Sequence, residues 1–147
     1  MTLDHLKLLA DISDLARRAG AEILDVYSQS IEVTSKDDQS PLTQADLRAH
    51  ATIVQGLASL TPELPILSEE ASDIPFEQRR QWQRYWLVDP LDGTKEFISR
   101  NGEFTVNIAL IENHAPLLGV VHVPVKATTY AGSKSAGAFR SSATTQN

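Results

Sequence analysis

The 147-residue chain contains no cysteine, no long apolar segment and no excess of basic charge. The lack of cysteine excludes disulfides, thiolate nucleophiles and cysteine-ligated metals, and it fits a reducing compartment. No stretch approaches the roughly 18 apolar residues of a membrane span. The N-terminus places Asp4, His5 and Lys7 among leucines, which is not the order of a signal peptide. These absences predict a cytoplasmic protein.

The formal net charge of -6 provides no broad basic field for a nucleic acid polymer. With 41% hydrophobic and 22% charged residues, the chain has the composition of a globular domain with one core. We expect a single domain over residues 1–140. The final "RSSATTQN" offers almost nothing apolar to bury, so residues 141–147 are expected to form a disordered tail.

Apolar residues at helical spacing predict a long amphipathic helix from Leu3 to Tyr27 and a second helix from near Thr43 to Leu60. Thr43 and Asp46 stand at the spacing of a capping box. Short apolar or β-branched runs predict strands at 31–35, 66–67, 85–88, 104–111, 117–123, 128–131 and 137–139. The predicted helices come first along the chain, and most of the predicted strands follow one another after them. This order favours an α+β layered sandwich, with two long helices packed on a mostly antiparallel sheet.

Acidic residues stand where apolar segments begin or end. Glu69 and Glu70 follow one predicted strand, Asp89 and Asp92 follow another, and Asp46 lies in the first turn of the second predicted helix. Carboxylates and a backbone carbonyl are the ligands that Mg²⁺ prefers. Metal ions held about 3.5–4 Å apart could activate a water and neutralise the leaving oxygen of a phosphate ester.

Each acidic group also has a purely structural interpretation. The aspartates at 89 and 92 each begin a common turn dipeptide, and Asp46 could serve only the capping box. Glu69 and Glu70 could be a solvated strand end. The histidines at 5, 50, 114 and 122 show no metal-ligand spacing, so we interpret them as surface or core residues.

The segment after the aspartates favours a functional site. Gly93 permits an unusual backbone angle, and Thr94 to Ile98 has the pattern of a helical turn whose first amides are unpaired. Free amides at a helix start can bind an anion. Acidic residues that could bind metal are followed directly by a helix start that could bind phosphate. This combination is more specific for a functional site than either feature alone.

These residues match a known pattern. "DPLDGTKEF" resembles the D-P-x-D-G-T-x-x-F signature of the inositol monophosphatase superfamily of Mg²⁺-dependent, lithium-sensitive phosphatases, and "SEE" and "SPLTQAD" resemble its upstream motifs. The longer "RYWLVDPLDGTKEFISRNGEFTVNIALI" is similar to the bacterial 3'(2'),5'-bisphosphate nucleotidases of that superfamily. In inositol monophosphatases the residues after Gly-Thr are not typically Lys-Glu-Phe. The resemblance runs from the first helix to about Phe139.

The resemblance implies a metal site with two or three Mg²⁺ ions. Its ligands would be Glu69, Asp89, Asp92 and the backbone carbonyl of Leu91, with Asp89 as the bridging ligand. Glu69, Leu91 and Asp92 would also contact the substrate, together with Gly93 and Thr94.

The resemblance also implies roles for the residues around the metals. The amides of Gly93 and Thr94 would hold the phosphate. The Thr94 hydroxyl, paired with Asp46, would orient or deprotonate the attacking water, and Glu70 would support the water shell. No covalent phosphoenzyme is implied, because the nucleophile would be metal-activated water.

The implied reaction is hydrolysis of adenosine 3',5'-bisphosphate to AMP and phosphate. The resemblance also allows peripheral association of the protein with the cytoplasmic side of the inner membrane. Members of this family continue into a second domain with a W-D-x-A-A-G motif, whose aspartate completes the metal site, and the sequence contains neither. One hypothesis is an active nucleotidase. Another is a catalytically silent half-domain that binds metal or phosphate weakly or needs a complementing chain, with self-association through its exposed face. Inositol monophosphatase is a third.

Overall fold

The computed structural model describes residues 4–29, 40–68 and 74–142. The described helices are α1 (His5–Gln29), α2 (Pro41–Leu60), α3 (Phe76–Arg79) and α4 (Thr94–Ser99). The described strands are β1 (Ile66–Ser68), β2 (Arg84–Asp92), β3 (Thr105–Glu112), β4 (Ala115–Val123), β5 (Thr128–Ser133) and β6 (Gly137–Ser142). The strand predicted at 31–35 lies outside the described residues, as do Glu69 and Glu70.

The six strands form one sheet in the order β1-β2-β3-β4-β5-β6. β1 runs parallel to β2, and every other neighbouring pair is antiparallel. Parallel strands need a crossover connection, and the segment between β1 and β2 includes α3. The predicted α+β architecture, with two long helices on a mostly antiparallel sheet, is confirmed.

α1 and α2 cover one face of the sheet. Alternate residues of a strand point to opposite faces, and the covered face carries the apolar set Trp86, Val88, Val106, Ile108, Leu110, Leu118 and Val120, all at most 3% exposed. The helices contribute Ile12, Leu15, Ile23, Ile53 and Leu57, each 0% exposed. Burying side chains of this size stabilises the fold by about 1.5–3 kcal/mol each.

The opposite face of the sheet, which we call the open face, carries side chains that are partly exposed. Leu87, Val121 and Tyr130 are 40%, 39% and 45% exposed. Between them the strands present small residues, with Ala109 paired to Gly119. No helix longer than six residues other than α1 and α2 occurs in the described part of the chain, and both of these lie on the covered face.

The start of α2 differs from the sequence prediction. The helix begins at Pro41, and its N-cap is Ser40, whose hydroxyl accepts a hydrogen bond from the Thr43 amide at 3.1 Å. Proline suits the first helical position, because its fixed φ matches a helix and its missing N–H would be unpaired there anyway. The predicted capping box of Thr43 and Asp46 is therefore wrong, and Asp46 lies inside the helix.

Two further boundaries also differ. β2 continues through Asp92, so the interpretation of the aspartates at 89 and 92 as plain turn residues is wrong. β6 includes Ser141 and Ser142, so the sheet extends past the predicted domain end at residue 140. Residues 143–147 of the predicted tail lie outside the described residues.

α3 lies within the connector between β1 and β2. Among the described helices, none has the length and hydropathy needed to cross a bilayer.

Candidate metal and phosphate site

The aspartates of the signature lie at the end of β2, on either side of an irregularity in the strand pairing. Asp89 pairs with Asn107, Asp92 pairs with Thr105, and the register shifts between the two pairs. The intervening Pro90 and Leu91 are buried, Leu91 being 2% exposed. A bulge of this kind changes the direction of the strand and of its side chains. The two apolar residues fix the bulge, while half-buried Asp89 and exposed Asp92 remain accessible.

Gly93 makes the turn from β2 into α4. Its backbone is left-handed, with φ 94° and ψ 52°, which confirms the predicted unusual angle. A Cβ here would lie 3.2 Å from both the Glu103 carbonyl oxygen and the Phe104 Cα. Glycine is the residue that meets both demands at low cost. The Phe97 amide donates to the Gly93 carbonyl at 2.9 Å, so the helix begins immediately at Thr94.

α4 is short, and aromatic contacts hold it against the core. Phe97 is 3% exposed, and its ring centroid lies 5.4 Å from that of Tyr27 and 5.4 Å from that of Phe104. At the helix end, the Arg100 guanidinium lies 4.1 Å from the centroid of Tyr27 and donates to the Tyr27 carbonyl at 2.9 Å. These contacts tie α4 to α1, which gives the exposed Thr94 a fixed position.

α2 forms the third side of the site. Asp46 is 8% exposed, and its helix contacts both α4 and β1. A carboxylate is rarely this buried unless it has a partner or a function. One helical turn later, the Nδ1 of His50 lies 2.9 Å from the Ser68 hydroxyl at the end of β1. Sequence reasoning assigned His50 no role, although its position four residues after Asp46 places both on one side of the helix.

The structure brings part of the predicted set together. Asp89, Leu91, Asp92, Gly93 and Thr94 are continuous from β2 into α4, and the helix that carries Asp46 packs against α4. The predicted ligand Glu69 and the predicted water-shell residue Glu70 are outside the described ranges.

The described donors are carboxylate and carbonyl oxygens, which fit Mg²⁺ chemically. Over residues 4–29, 40–68 and 74–142, no three histidines or acids group closely enough to hold a metal ion. Two carboxylates and one carbonyl therefore fit part of a magnesium site.

A groove of about 310 Å³ runs along the open face from the site. Its lining includes Leu87, Asp89, Asn107, Ala109 and Val121. Asp89 thus lies at one end of an accessible surface.

Two helices cover one face of a mixed sheet, and the acidic end of β2 leads through a glycine turn into a short helix. This arrangement defines an α+β protein with carboxylates at the end of a strand. The chain belongs to the inositol monophosphatase family, whose sequence profile matches residues 5–147.

Relatives in this family are similar along most of the chain. The 3'(2'),5'-bisphosphate nucleotidase CysQ of Escherichia coli K12 is 55% identical over 130 residues, covering 86% of this chain and 52% of that protein. The crystal structure of CysQ from Bacteroides thetaiotaomicron superposes with a TM-score of 0.80 at 46% identity, covering 94% of this chain and 49% of that one.

A more distant relative has the same fold. The crystal structure of the extragenic suppressor protein SuhB from Bartonella henselae gives a TM-score of 0.75 at 28% identity, covering 91% of this chain and 52% of that chain. This chain therefore spans about half the length of the relatives it matches.

Proposed function

We propose that the protein is a Mg²⁺-dependent phosphomonoester hydrolase that converts adenosine 3',5'-bisphosphate to AMP and phosphate. The observation that carries this proposal is the continuous arrangement of Asp89, the buried bulge, Asp92 and the left-handed Gly93 at the start of α4. The similarity to CysQ, which is named a 3'(2'),5'-bisphosphate nucleotidase, supports the choice of substrate. The lack of cysteine supports a cytoplasmic location.

Each residue of the site has a proposed role. Asp89, Asp92, the Leu91 carbonyl and Glu69 would hold two or three Mg²⁺ ions, with Asp89 shared between two of them. Bound magnesium would supply an activated water and neutralise charge on the leaving oxygen. Half-buried Asp89 suits a shared position, since its surroundings restrict the carboxylate more than those of exposed Asp92.

The remaining residues would position the phosphate and the attacking water. The amides of Gly93 and Thr94 would bind the phosphate at the start of α4. The Thr94 hydroxyl, with the Asp46 carboxylate as its proton acceptor, would orient the water for in-line attack, and Glu70 would hold the surrounding waters. The contact between α2 and α4 supports the pairing of Asp46 with Thr94.

The test measures phosphate release from adenosine 3',5'-bisphosphate by the purified chain, with and without Mg²⁺ and with added Li⁺. The Asp89→Asn variant removes one charge from the site, and Asp14→Asn removes one from the exposed ion pair with Arg18 on α1. We expect Mg²⁺-dependent, Li⁺-sensitive release that falls at least about 100-fold in Asp89→Asn, because a metal ligand is worth several kcal/mol of charge stabilisation. Asp14→Asn should behave as the wild type.

Equal activity of the Asp89→Asn and Asp14→Asn variants would contradict the assignment of Asp89 as a metal ligand. Faster release from inositol 1-phosphate than from the nucleotide would instead identify an inositol monophosphatase.

A second candidate function is a catalytically silent half-domain that binds metal or phosphate weakly. The open face favours it, because Leu87, Val121 and Tyr130 together present an exposed apolar surface, which is typical of an interaction site. Such a chain would self-associate or require a complementing chain through this face. Folded protein that binds Mg²⁺ but releases no phosphate, and that sediments as a dimer or larger species, would support this candidate over the first.

A further inference from the structure

A cavity of about 310 Å³ lies between α1 and the hairpin formed by β5 and β6, and we call it the hairpin cavity. α1 packs on β3, β4 and β5, and the cavity forms where the sheet continues beyond the helix into β6. β3 and β4 lie between this hairpin and β2, the strand that carries Asp89 and Asp92. The cavity is therefore separate from the proposed metal and phosphate site.

One end of the hairpin cavity is apolar. Leu9 and Ala10 line it from α1, and the paired residues Ala131 and Phe139 line it from the sheet. Phe139 is 50% exposed, although its strand position places it on the covered face, in one row with Ala131 and the buried Val120. An exposed aromatic side chain beside an apolar cavity provides a surface on which a second ring can stack.

The other end of the hairpin cavity is polar. The Nη2 of Arg17 donates to the Ser141 hydroxyl at 3.0 Å, and Ser141 pairs with Thr129 across the hairpin. Ser13, one helical turn before Arg17, is 6% exposed and lines the cavity. Within the part of the chain that the structure describes, its hydroxyl makes no hydrogen bond. Buried polar groups are normally hydrogen-bonded, so this hydroxyl is available to a polar group in the cavity.

Two hydrogen bonds fix the direction of α1 along the hairpin. The Nδ1 of His5 lies 2.6 Å from the hydroxyl of Ser135, in the turn before β6, whereas Arg17 contacts Ser141 near the end of β6. α1 therefore runs in the same direction as β6, and Phe139 lies between these two contacts. Phe139 and Ser141 are about 7 Å apart along the strand, so one aromatic molecule with an attached anionic group can reach both ends of the cavity.

The charge of Arg17 selects an anion for the polar end. The arginines at 18, 48, 80 and 84 each form an ion pair with a carboxylate, whereas Arg17 is held by a neutral hydroxyl and has no acidic partner among the described residues. The described residues that line the cavity also include no Asp or Glu. A guanidinium carries five N–H donors in a planar fork, which binds an oxyanion through two parallel hydrogen bonds.

We propose that the hairpin cavity is a second binding site, for an aromatic ligand that carries an oxyanion. The ring of the ligand stacks on Phe139 against Leu9 and Ala10, and its anionic group binds the Arg17 guanidinium and the Ser13 hydroxyl. Aromatic phosphate monoesters and aromatic carboxylates share this chemistry. The ligand contacts none of residues 89–94, so the proposal goes beyond the proposed hydrolase activity and does not depend on it.

The test measures ligand binding to the whole chain by calorimetry in EDTA, which removes Mg²⁺ from the proposed metal site. Saturable binding of phenyl phosphate or benzoate would support the hairpin cavity as a site, and the tighter of the two identifies the oxyanion. Inorganic phosphate lacks the ring, and phenol lacks the full negative charge. We expect each of them to bind at least about 10-fold more weakly than the better aromatic anion.

Matched variants locate the bound ligand. Arg17→Met removes the guanidinium, and its control is Arg18→Met, at the neighbouring exposed arginine that pairs with Asp14. Phe139→Ala removes the aromatic surface, and its control is Phe76→Ala, at an exposed phenylalanine of α3. We expect Arg17→Met and Phe139→Ala each to weaken binding at least about 10-fold, because each removes one of the two groups that hold the ligand. Both controls should bind as the wild type does.

Three results would overturn the proposal. The first is the absence of saturable binding of either aromatic anion to the folded wild type. The second is equal weakening in Arg17→Met and Arg18→Met, which would show a general effect of net charge. The third is binding in EDTA that Asp89→Asn abolishes, which would place the ligand at the proposed metal site. Failure of the proposed hydrolase activity is a separate outcome, because it is measured as phosphate release in Mg²⁺.

Discussion

Gly20 of α1 packs directly on the imidazole ring of His122 in β4. A Cβ at residue 20 would lie 2.7 Å from Cδ2 and 2.9 Å from Nε2 of that ring, and 3.2 Å from Pro124. Real Cβ contacts are almost never this short, so the helix can approach the sheet this closely because residue 20 has no side chain. The close approach buries His122, which is 6% exposed.

Gly20→Ala is expected to destabilise the protein by about 1–2 kcal/mol. Alanine favours a helix interior by up to about 1 kcal/mol over glycine, but forcing a methyl group into packed atoms costs about 1–3 kcal/mol. The measurement is the free energy of unfolding in urea. Ala21→Gly, at an exposed neighbouring position on α1, measures only the difference in helix propensity between alanine and glycine. A Gly20→Ala variant more stable than the wild type would show that the helix can shift away from the sheet.

His122 predicts a pH dependence of stability. Burial, with a smaller contribution from the positive charge of Arg17, lowers the pKa of its imidazole from 6.5 to about 4, and its Nδ1 lies 2.9 Å from the Thr129 hydroxyl. The unfolded chain therefore binds a proton before the folded protein does. This contribution to stability is fully present above pH 6.5 and is lost as the pH falls toward 4, by at most about 3 kcal/mol.

The check is the pH profile of the unfolding free energy in the wild type and in His122→Asn. Asparagine keeps an amide near Nδ1 for Thr129 and cannot titrate. We expect the variant to have a flatter profile between pH 6.5 and 4, whatever its stability at pH 7. Parallel profiles would show that carboxylates, and not His122, set the acid sensitivity of the fold.

Much of the architecture could be predicted because the helices and strands depend on patterns of residues that are close in sequence. The spacing of apolar residues predicted α1 and α2, and β-branched alternation predicted β3, β4 and β5. An unusual backbone angle at Gly93 was predicted from one glycine between an acidic strand end and a helical turn, and the structure shows it to be left-handed. In each case the deciding interactions lie within a few residues, so periodicity and turn chemistry suffice.

The features that were missed depend on contacts between distant parts of the chain. The sequence predicts that this strand ends at Val88, because Asp89 and Pro90 form a common turn dipeptide. A proline in a strand is also typical of a bulge, and only packing against the core shows that the strand continues and buries Pro90 and Leu91. The partner of His50 is 18 residues away in sequence, and only packing of α2 on β1 brings them together. The start of α2 was predicted too late, since Ser40 and Thr43 are both acceptable caps and the proline between them decides in favour of Ser40.

Thr61 and Trp86 provide a third prediction. The indole Nε1 of Trp86 donates to the Thr61 hydroxyl at 2.8 Å, and Trp86 and Thr61 are 0% and 4% exposed respectively. Thr61→Val keeps the shape of the side chain and removes the acceptor, which leaves a buried N–H unsatisfied. We expect a loss of about 1–3 kcal/mol in the free energy of unfolding. Thr61→Ser, which retains the hydroxyl, should lose less, and a valine variant as stable as the serine variant would contradict this role.

The fourth prediction concerns Gly93, which lies in the proposed phosphate site and has an unusual backbone conformation. Gly93 and Gly137 both have positive φ, 94° and 86° respectively. A Cβ at Gly93 would press on backbone atoms of residues 103 and 104 at 3.2 Å, whereas one at Gly137 would meet nothing within 4 Å. Gly137→Ala therefore carries the conformational cost alone, about 1 kcal/mol. Gly93→Ala carries that cost and also displaces the backbone between Asp92 and Thr94.

We expect Gly93→Ala to lose more stability than Gly137→Ala and to release phosphate at least about 10-fold more slowly, because a shift of about 1 Å in a positioned group can cost still more. Gly137→Ala, in the edge strand β6, should keep its activity. Unfolding in urea and phosphate release at saturating Mg²⁺ are measured on the same preparations. Equal stability losses in the two variants would mean that positive φ alone matters. A stable Gly93→Ala protein with full activity would show that the turn does not position the phosphate.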